Sequence, residues 1–272
     1  MPESSRLLLV VLLLAGCAQQ DVNRIPQLGE QERVAIAERV FANECAGRVS
    51  CLTTWNKGEE FASLGIGHFI WYPSGVAAKE KRFSESFPAL VHFLQAKGAS
   101  TPAWLKTDAG CPWRDRASFE TDLNGPELTE LRAWLQQTMS IQADFMAERL
   151  TESLPRMLDA APKELREHID RQFRRVAASP MGMYALMDYV NFKGEGINPQ
   201  ERYAGRGWGL LQVLAMMQGD HAGVDAISAF AAAADTLLTQ RVAHAPGARH
   251  EGRWLPGWRK RLQTYTEAAR FK

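Results

Sequence analysis

Residues 44–68 read Glu44-Cys45-Ala46-Gly47-Arg48-Val49-Ser50-Cys51 and then Leu52-Thr53-Thr54-Trp55-Asn56-Lys57-Gly58-Glu59-Glu60-Phe61-Ala62-Ser63-Leu64-Gly65-Ile66-Gly67-His68. Upstream, Val34, Ile36, Ala37, Val40 and Phe41 recur at helical spacing, which predicts a helix from Glu30 that ends between Glu44 and Gly47. Downstream, residues 51–72 are rich in Thr, Trp, Phe, Ile and Tyr around the turn signal Asn56-Lys57-Gly58, which predicts a short β-hairpin closed by Pro73-Ser74-Gly75. Alternating glycines in Ser63-Leu64-Gly65-Ile66-Gly67-His68 imply a close backbone approach, either by another chain segment or by a ligand. The arrangement sets a lone carboxylate at a helix C-terminus, facing a small hairpin. Partial desolvation and the negative end of the helix dipole both favour the protonated form of such a group. Glu44 is therefore the candidate general acid.

Outward from this stretch the pattern is helical. Apolar residues at helical spacing mark segments near 84–97, 128–158, 163–177, 181–193, 207–218, 222–243 and 256–270. A loop with Pro102, Gly110 and Pro112 fills residues 98–115. The fold class expected is mainly α (α+β), a helical domain with one small β-hairpin after the first helix. One domain is expected over 30–272, with a helical insertion at about 80–175. The basic run Arg171 to Arg175 reads as a solvated helix face.

The N-terminus sets the compartment expected. Leu7 to Leu14 is an unbroken apolar run, far short of the roughly 20 residues a spanning helix needs, and it reads as a signal-peptide core over 1–16. Leu14-Ala15-Gly16-Cys17 resembles the bacterial lipobox, whose cysteine is lipid-modified and becomes the mature N-terminus. Ala18 after it, in place of the Asp that favours inner-membrane retention, points to an outer-membrane lipoprotein on the periplasmic face. Residues 17–29 then read as the lipidated tether. About 255 residues follow Cys17, enough for one domain with a sizeable core or two small ones. A net charge of +1 leaves no footprint for nucleic acid. Six His and four Cys show no zinc-ligand spacing, so no metal is expected. With Cys17 set aside, Cys45, Cys51 and Cys111 remain. Cys45 and Cys51 are near enough in sequence to staple the loop, with pairing to Cys111 equally open.

In its position after Glu44, the Ser63–His68 run closely resembles the T-x-G-x-G-H run of phage-type (endolysin) lysozymes, glycoside hydrolase family 24. Ser63 falls where that family has Thr. A second run, Asp188-Tyr189-Val190-Asn191-Phe192-Lys193-Gly194-Glu195-Gly196, is similar to the family's D-F-x-x-N-x-G-x-G helix beneath the cleft. Gly209-Leu210-Leu211-Gln212 is also similar to the G-L-M-Q of lytic transglycosylases, with Glu195 upstream as their acid would be. Leu255-Pro256-Gly257-Trp258-Arg259-Lys260-Arg261 resembles the family's terminal P-G-L-x-x-R-R helix start, whose basic residues face an acidic surface or a partner carboxylate. The chain departs from the pattern between Glu44 and Ser63, where the hairpin is longer than the family's and an acid is missing. The family has an Asp about six residues before its Thr, and here that position is Lys57, so Glu59 or Glu60 is left as the second carboxylate.

The resemblance implies a muramidase that cuts the β-1,4 bond between N-acetylmuramic acid and N-acetylglucosamine in peptidoglycan, without cofactor. In that reading Glu44 protonates the leaving oxygen. Glu60 or Glu59 activates water, and Ser63 holds a water or that carboxylate. Gly65, Gly67, His68, Asn191 and Gln212 contact the glycan, Gln212 through an N-acetyl group. Trp55, Phe69, Trp71, Tyr72, Tyr203, Arg206 and Trp208 are further cleft candidates. Two alternatives stand beside it, a lytic transglycosylase using Glu44 alone and a non-catalytic lipoprotein that binds wall glycan or a protein partner.

Overall fold

The computed structural model describes residues 27–81 and 83–270. The expected signal peptide, the lipidation site Cys17 and most of the tether lie outside the described residues. The class is as expected: 64% helix with a small antiparallel sheet. Among the described residues no helix is long and apolar enough to cross a membrane.

Helix α1 (Glu30–Cys45) begins where the Glu32 carboxylate accepts from the Gly29 N–H at 2.7 Å. It stops where Ala46 turns left-handed at φ 49°. Its inner face carries Ile36, Ala37 and Val40. A short 3-10 turn, Val49–Leu52, leads into β1 (Thr53–Thr54), β2 (Ala62–Leu64) and β3 (Phe69–Trp71). The three strands form an antiparallel meander in sequence order, with Thr54 opposite Ser63 and Ser63 opposite Ile70. The expected single hairpin is thus two hairpins sharing β2. Two or three residues a strand are too few to stand alone, and the buried side chains Leu64, Phe69 and Trp71 anchor the sheet to the helices.

Helix α2 (Phe87–Ala96) follows, then α3 (Arg116–Thr121), α4 (Pro126–Gln137) and α5 (Met139–Ala160). The expected long helix 128–158 is broken at Thr138, whose hydroxyl donates back to Trp134 O at 2.9 Å. Helix α5 packs on α1, α2 and α7, so the segment expected as an insertion supplies part of the main body. Helices α6 (Arg166–Ala177), α7 (Pro180–Lys193), α8 (Leu210–Met216), α9 (Val224–His244) and α10 (Leu255–Arg270) complete the chain. Arg175 departs from the solvated face expected of residues 171–175. It is 4% exposed and donates to Gln218 O at 3.1 Å, because those orphan carbonyls beyond α8 need a donor.

Helix α7 is the axis. Residues 182–189 are all buried, the mark of a helix enclosed on every side. Helices α1, α5, α6, α8, α9 and α10 pack around it. Burial of each large apolar side chain there is worth roughly 1.5–3 kcal/mol. The polar residues of α7 that escape this core, Asn191 and Lys193, lie in its last turn, next to the end of α1.

Candidate active site

Glu44 is the next-to-last residue of α1, and its side chain is 13% exposed. Asn191 Nδ2 donates to Glu44 Oε1 at 2.9 Å. Arg261 Nη2, from α10, donates to the same oxygen. His68 Nδ1 stands 3.7 Å from Oε2. Three distant segments therefore converge on one carboxylate.

Arg261 is shared. Its Nε and Nη2 also donate to the fully buried Asp188 at 2.7 and 2.8 Å, a two-point grip that suits a planar guanidinium. Tyr265 OH donates to Asp188 Oδ2 at 2.6 Å, and Asn43 Nδ2 donates to Oδ1 at 3.1 Å. The Arg261 side chain lies against the Phe192 ring, 4.5 Å from its centroid. Burial alone pushes the Glu44 carboxyl up, but the charge and hydrogen bond of Arg261, then His68 and Asn191, outweigh it and hold Glu44 below its ordinary value. This differs from the protonated Glu44 expected from desolvation and the helix dipole, because a buried cation at contact distance acts more strongly than the half-charge of a helix end.

The carboxylate stands in the wall of an open cleft of about 520 Å³ between the sheet and α3, lined by Arg48, Trp55, Lys57, His68, Arg116 and Glu120 among others. His68 is also in the wall of a second cavity of about 320 Å³, with Gly67, Phe69, Asn191 and Glu195. His68 is thus common to the walls of both spaces. Glu195 Oε1 accepts from Arg156 Nη2 at 2.6 Å, so it is a paired residue at the cavity rim.

The second carboxylate is placed differently from expectation. Glu60 is exposed and is not in the cleft lining. Ser63 Oγ donates to Glu59 Oε2 at 3.4 Å, and Asn56 Nδ2 donates to it at 3.0 Å, so Glu59 is the acid that Ser63 holds. The other acid in the cleft lining besides Glu44 is Glu120 of α3, ion-paired to Arg116. Two Glu in a polar turn point to solvent unless a partner is at hand. Here the partners, Ser63 and Asn56, are nearer Glu59.

The glycines divide. At Gly65, with φ +71°, an added Cβ would lie 2.5 Å from the buried Gln142 Oε1. That oxygen accepts from the Ile66 N–H at 2.9 Å, so the close approach is by α5 and not by a ligand. A Cβ on Gly67 would lie 2.7 Å from the Phe69 ring, although Gly67 also lines the second cavity. Gln212 takes a scaffold role: its amide accepts from Gly209 N and donates to Gly196 O, both at 3.0 Å. Trp71 and Tyr72 are core, at 0% and 1% exposure, and Trp208 is buried. Trp55 and Phe69 line the cavities, and Tyr203 lines a third. Arg206 is exposed.

Cys45 and Cys51 are joined by a disulfide, and Cys111 is a buried thiol pushed up to about 12 by desolvation. His68 Nε2 lies 3.3 Å from Cys51 Sγ. These three residues come together as a metal site would, but the disulfide consumes both thiolates that a metal needs. Sequence reasoning passed over Glu120, Asn43 and the cations Lys193, Arg241 and Arg249. No hydrophobic period or motif marks them, and only the fold brings Glu120 to the cleft, Asn43 to Asp188 and the three cations to a neighbouring cavity. Comparison with protein-family models, curated proteins and solved structures found no match to this chain.

Proposed function

We propose that the chain is a lipid-anchored glycosidase of the bacterial wall, cutting the β-1,4 bond after N-acetylmuramic acid, with Glu44 as the acid. One observation carries the reading: a nearly buried carboxylate, held by Asn191, Arg261 and His68, stands in the wall of an open cleft. A general acid must reach the leaving oxygen from a fixed position, and three partners from three segments supply that fixity. Glu44 is ionised in the free protein, so it takes up a proton as a bound sugar excludes water and the cost of the buried charge rises.

The second carboxylate decides the course. An inverting hydrolase sets it roughly 6.5–9.5 Å from the acid, with room for water. Glu120 is the candidate in the cleft, yet it is paired with Arg116, and Glu59 is held by Asn56 and Ser63. Their engagement favours, as a second reading, a lytic transglycosylase in which Glu44 acts alone.

Digestion of purified sacculi by the parent and by Glu44→Gln, with mass spectrometry of the products, tests both. New reducing ends support the hydrolase, and 1,6-anhydro ends support the transglycosylase. Equal release by parent and Glu44→Gln would remove Glu44 from the chemistry. Sacculus binding without any release would make the chain a glycan-binding lipoprotein.

A further inference from the structure

Beside the second cavity lies a third of about 400 Å³, lined by Lys193, Arg241, Arg249, Glu201, Tyr203 and Asn191 among others. It shares Phe83, Val190, Asn191 and Gly194 with the second cavity, and Asn191 is the residue that holds Glu44. Three cations face one lining carboxylate, Glu201. Arg241 is bonded to the buried Glu251 at 2.7 and 2.9 Å, and Arg249 donates to Tyr203 OH. Lys193 differs. Its ammonium makes no hydrogen bond or ion pair among the described residues. It is caged by the rings of Trp258 and Phe192, at 3.5 and 4.0 Å from their centroids. A desolvated cation at a cavity wall, with two arginines beside it, is a receptor for an anion.

We propose that this cavity receives a carboxylate of the acidic peptide carried by the muramic sugar. The assignment rests on the peptidoglycan reading above and names the part of the substrate that the groove itself does not hold. On a glycan strand the peptide is carried by a sugar of the bond that is cut, and Asn191, which holds Glu44, also lines this cavity. Gln200, also in the lining, offers a side-chain amide to a peptide backbone.

The charge on Lys193 provides an internal signal. Burial first, then repulsion by Arg241 of α9 and Arg261 of α10, push its ammonium down to about 7, against the pull of Glu251. Glu201, Arg249 and Tyr203 complete the set of ionisable groups facing it. A ligand carboxylate stabilises the charged form, so peptide affinity falls as pH rises through neutrality.

The probe is the free stem tetrapeptide, alanyl-γ-glutamyl-diaminopimelyl-alanine, titrated calorimetrically into the full chain beside its carboxyl-amidated form. Binding about tenfold tighter for the acid than for the amide is expected, weakening by about tenfold between about pH 6 and pH 9. Lys193→Met keeps the apolar stem between the rings and abolishes both the preference and the pH step. Lys193→Arg retains the preference and flattens the pH step, which a purely structural Lys193 would not do. Arg249→Gln weakens binding and keeps the step. Equal binding of acid and amide, no heat from either, a preference that survives Lys193→Met, or succinate binding as tightly as the peptide would each overturn the proposal. The glycosidase reading is judged separately by Glu44→Gln on sacculi, so either claim can fail while the other stands.

Discussion

Glu44 and Arg261 sit 217 positions apart and share a hydrogen bond. Because the folded-state pKa of Glu44 is depressed, its contribution to stability is present above the ordinary value of 4.5 and is lost as pH falls through the depressed folded value. The catalytic consequence has the opposite sense. A general acid must be protonated, so kcat/KM for free enzyme and sacculus should rise as pH falls towards that value. Arg261→Gln removes the guanidinium while the burial remains, so it should move the falling limb of the kcat/KM profile to higher pH, measured by muropeptide release across buffers. An unmoved limb would mean that Glu44 is not the titrating acid. The same substitution leaves Asp188 buried without its cation, and it should cost about 3–5 kcal/mol in urea unfolding. The position of Glu44 was legible, since a helix stop and a hairpin signal bracket it. Its ionisation was not, because a cation from another helix outweighs everything local.

At the scale of elements, the sheet is held to the helical body by a few specific bonds. The Cys45–Cys51 disulfide ties the end of α1 to the 3-10 turn before β1. Closing so short a loop is worth about 2 kcal/mol on the chain-entropy account. Cys51→Ala should lose about that much in denaturant unfolding, with no further loss when a reductant is added. Gln142 of α5 is the second tie. It accepts from Ile66 N and donates to Leu135 O at 2.7 Å and to Thr138 Oγ1 at 3.0 Å, while fully buried. Gln142→Leu leaves the Ile66 N–H without a partner, takes a donor from Leu135 O and Thr138 Oγ1, and should cost about 3 kcal/mol, read from the same unfolding curves. The glycines of 63–68 declared a close approach; α5 is what approaches Gly65, and the Phe69 ring is what approaches Gly67. Helix spans were legible to within a few residues because their apolar period is strong. The Thr138 break was not, since the apolar residues of α4 and α5 run on across it in one helical pattern.

For the whole molecule, α7 is enclosed by six helices, and α10 closes one side of it while delivering Arg261 and Tyr265 to Asp188. Removal of residues 255–272 should therefore uncover the buried Tyr184 and Phe230 and leave Asp188 and Glu44 without their cation. The truncated chain is expected to lose its near-ultraviolet circular dichroism and the cooperativity of its thermal transition. Composition and period alone determined a mainly helical chain with one small sheet near Glu44, because local spacing states which faces are apolar. The end of the helical period also marked Glu44, whereas His68 and Asn191 were singled out by the resemblance of their runs to a known family. Only the tertiary structure decided that Arg261 grips Glu44 and Asp188 together, that Ser63 holds Glu59 and not Glu60, and that Gln212 serves the backbone. It alone gathered Lys193, Arg241 and Arg249 around one cavity. Contacts of that kind depend on the packing of helices far apart in the chain, and charge–charge energies are set by distances that no local sequence pattern encodes.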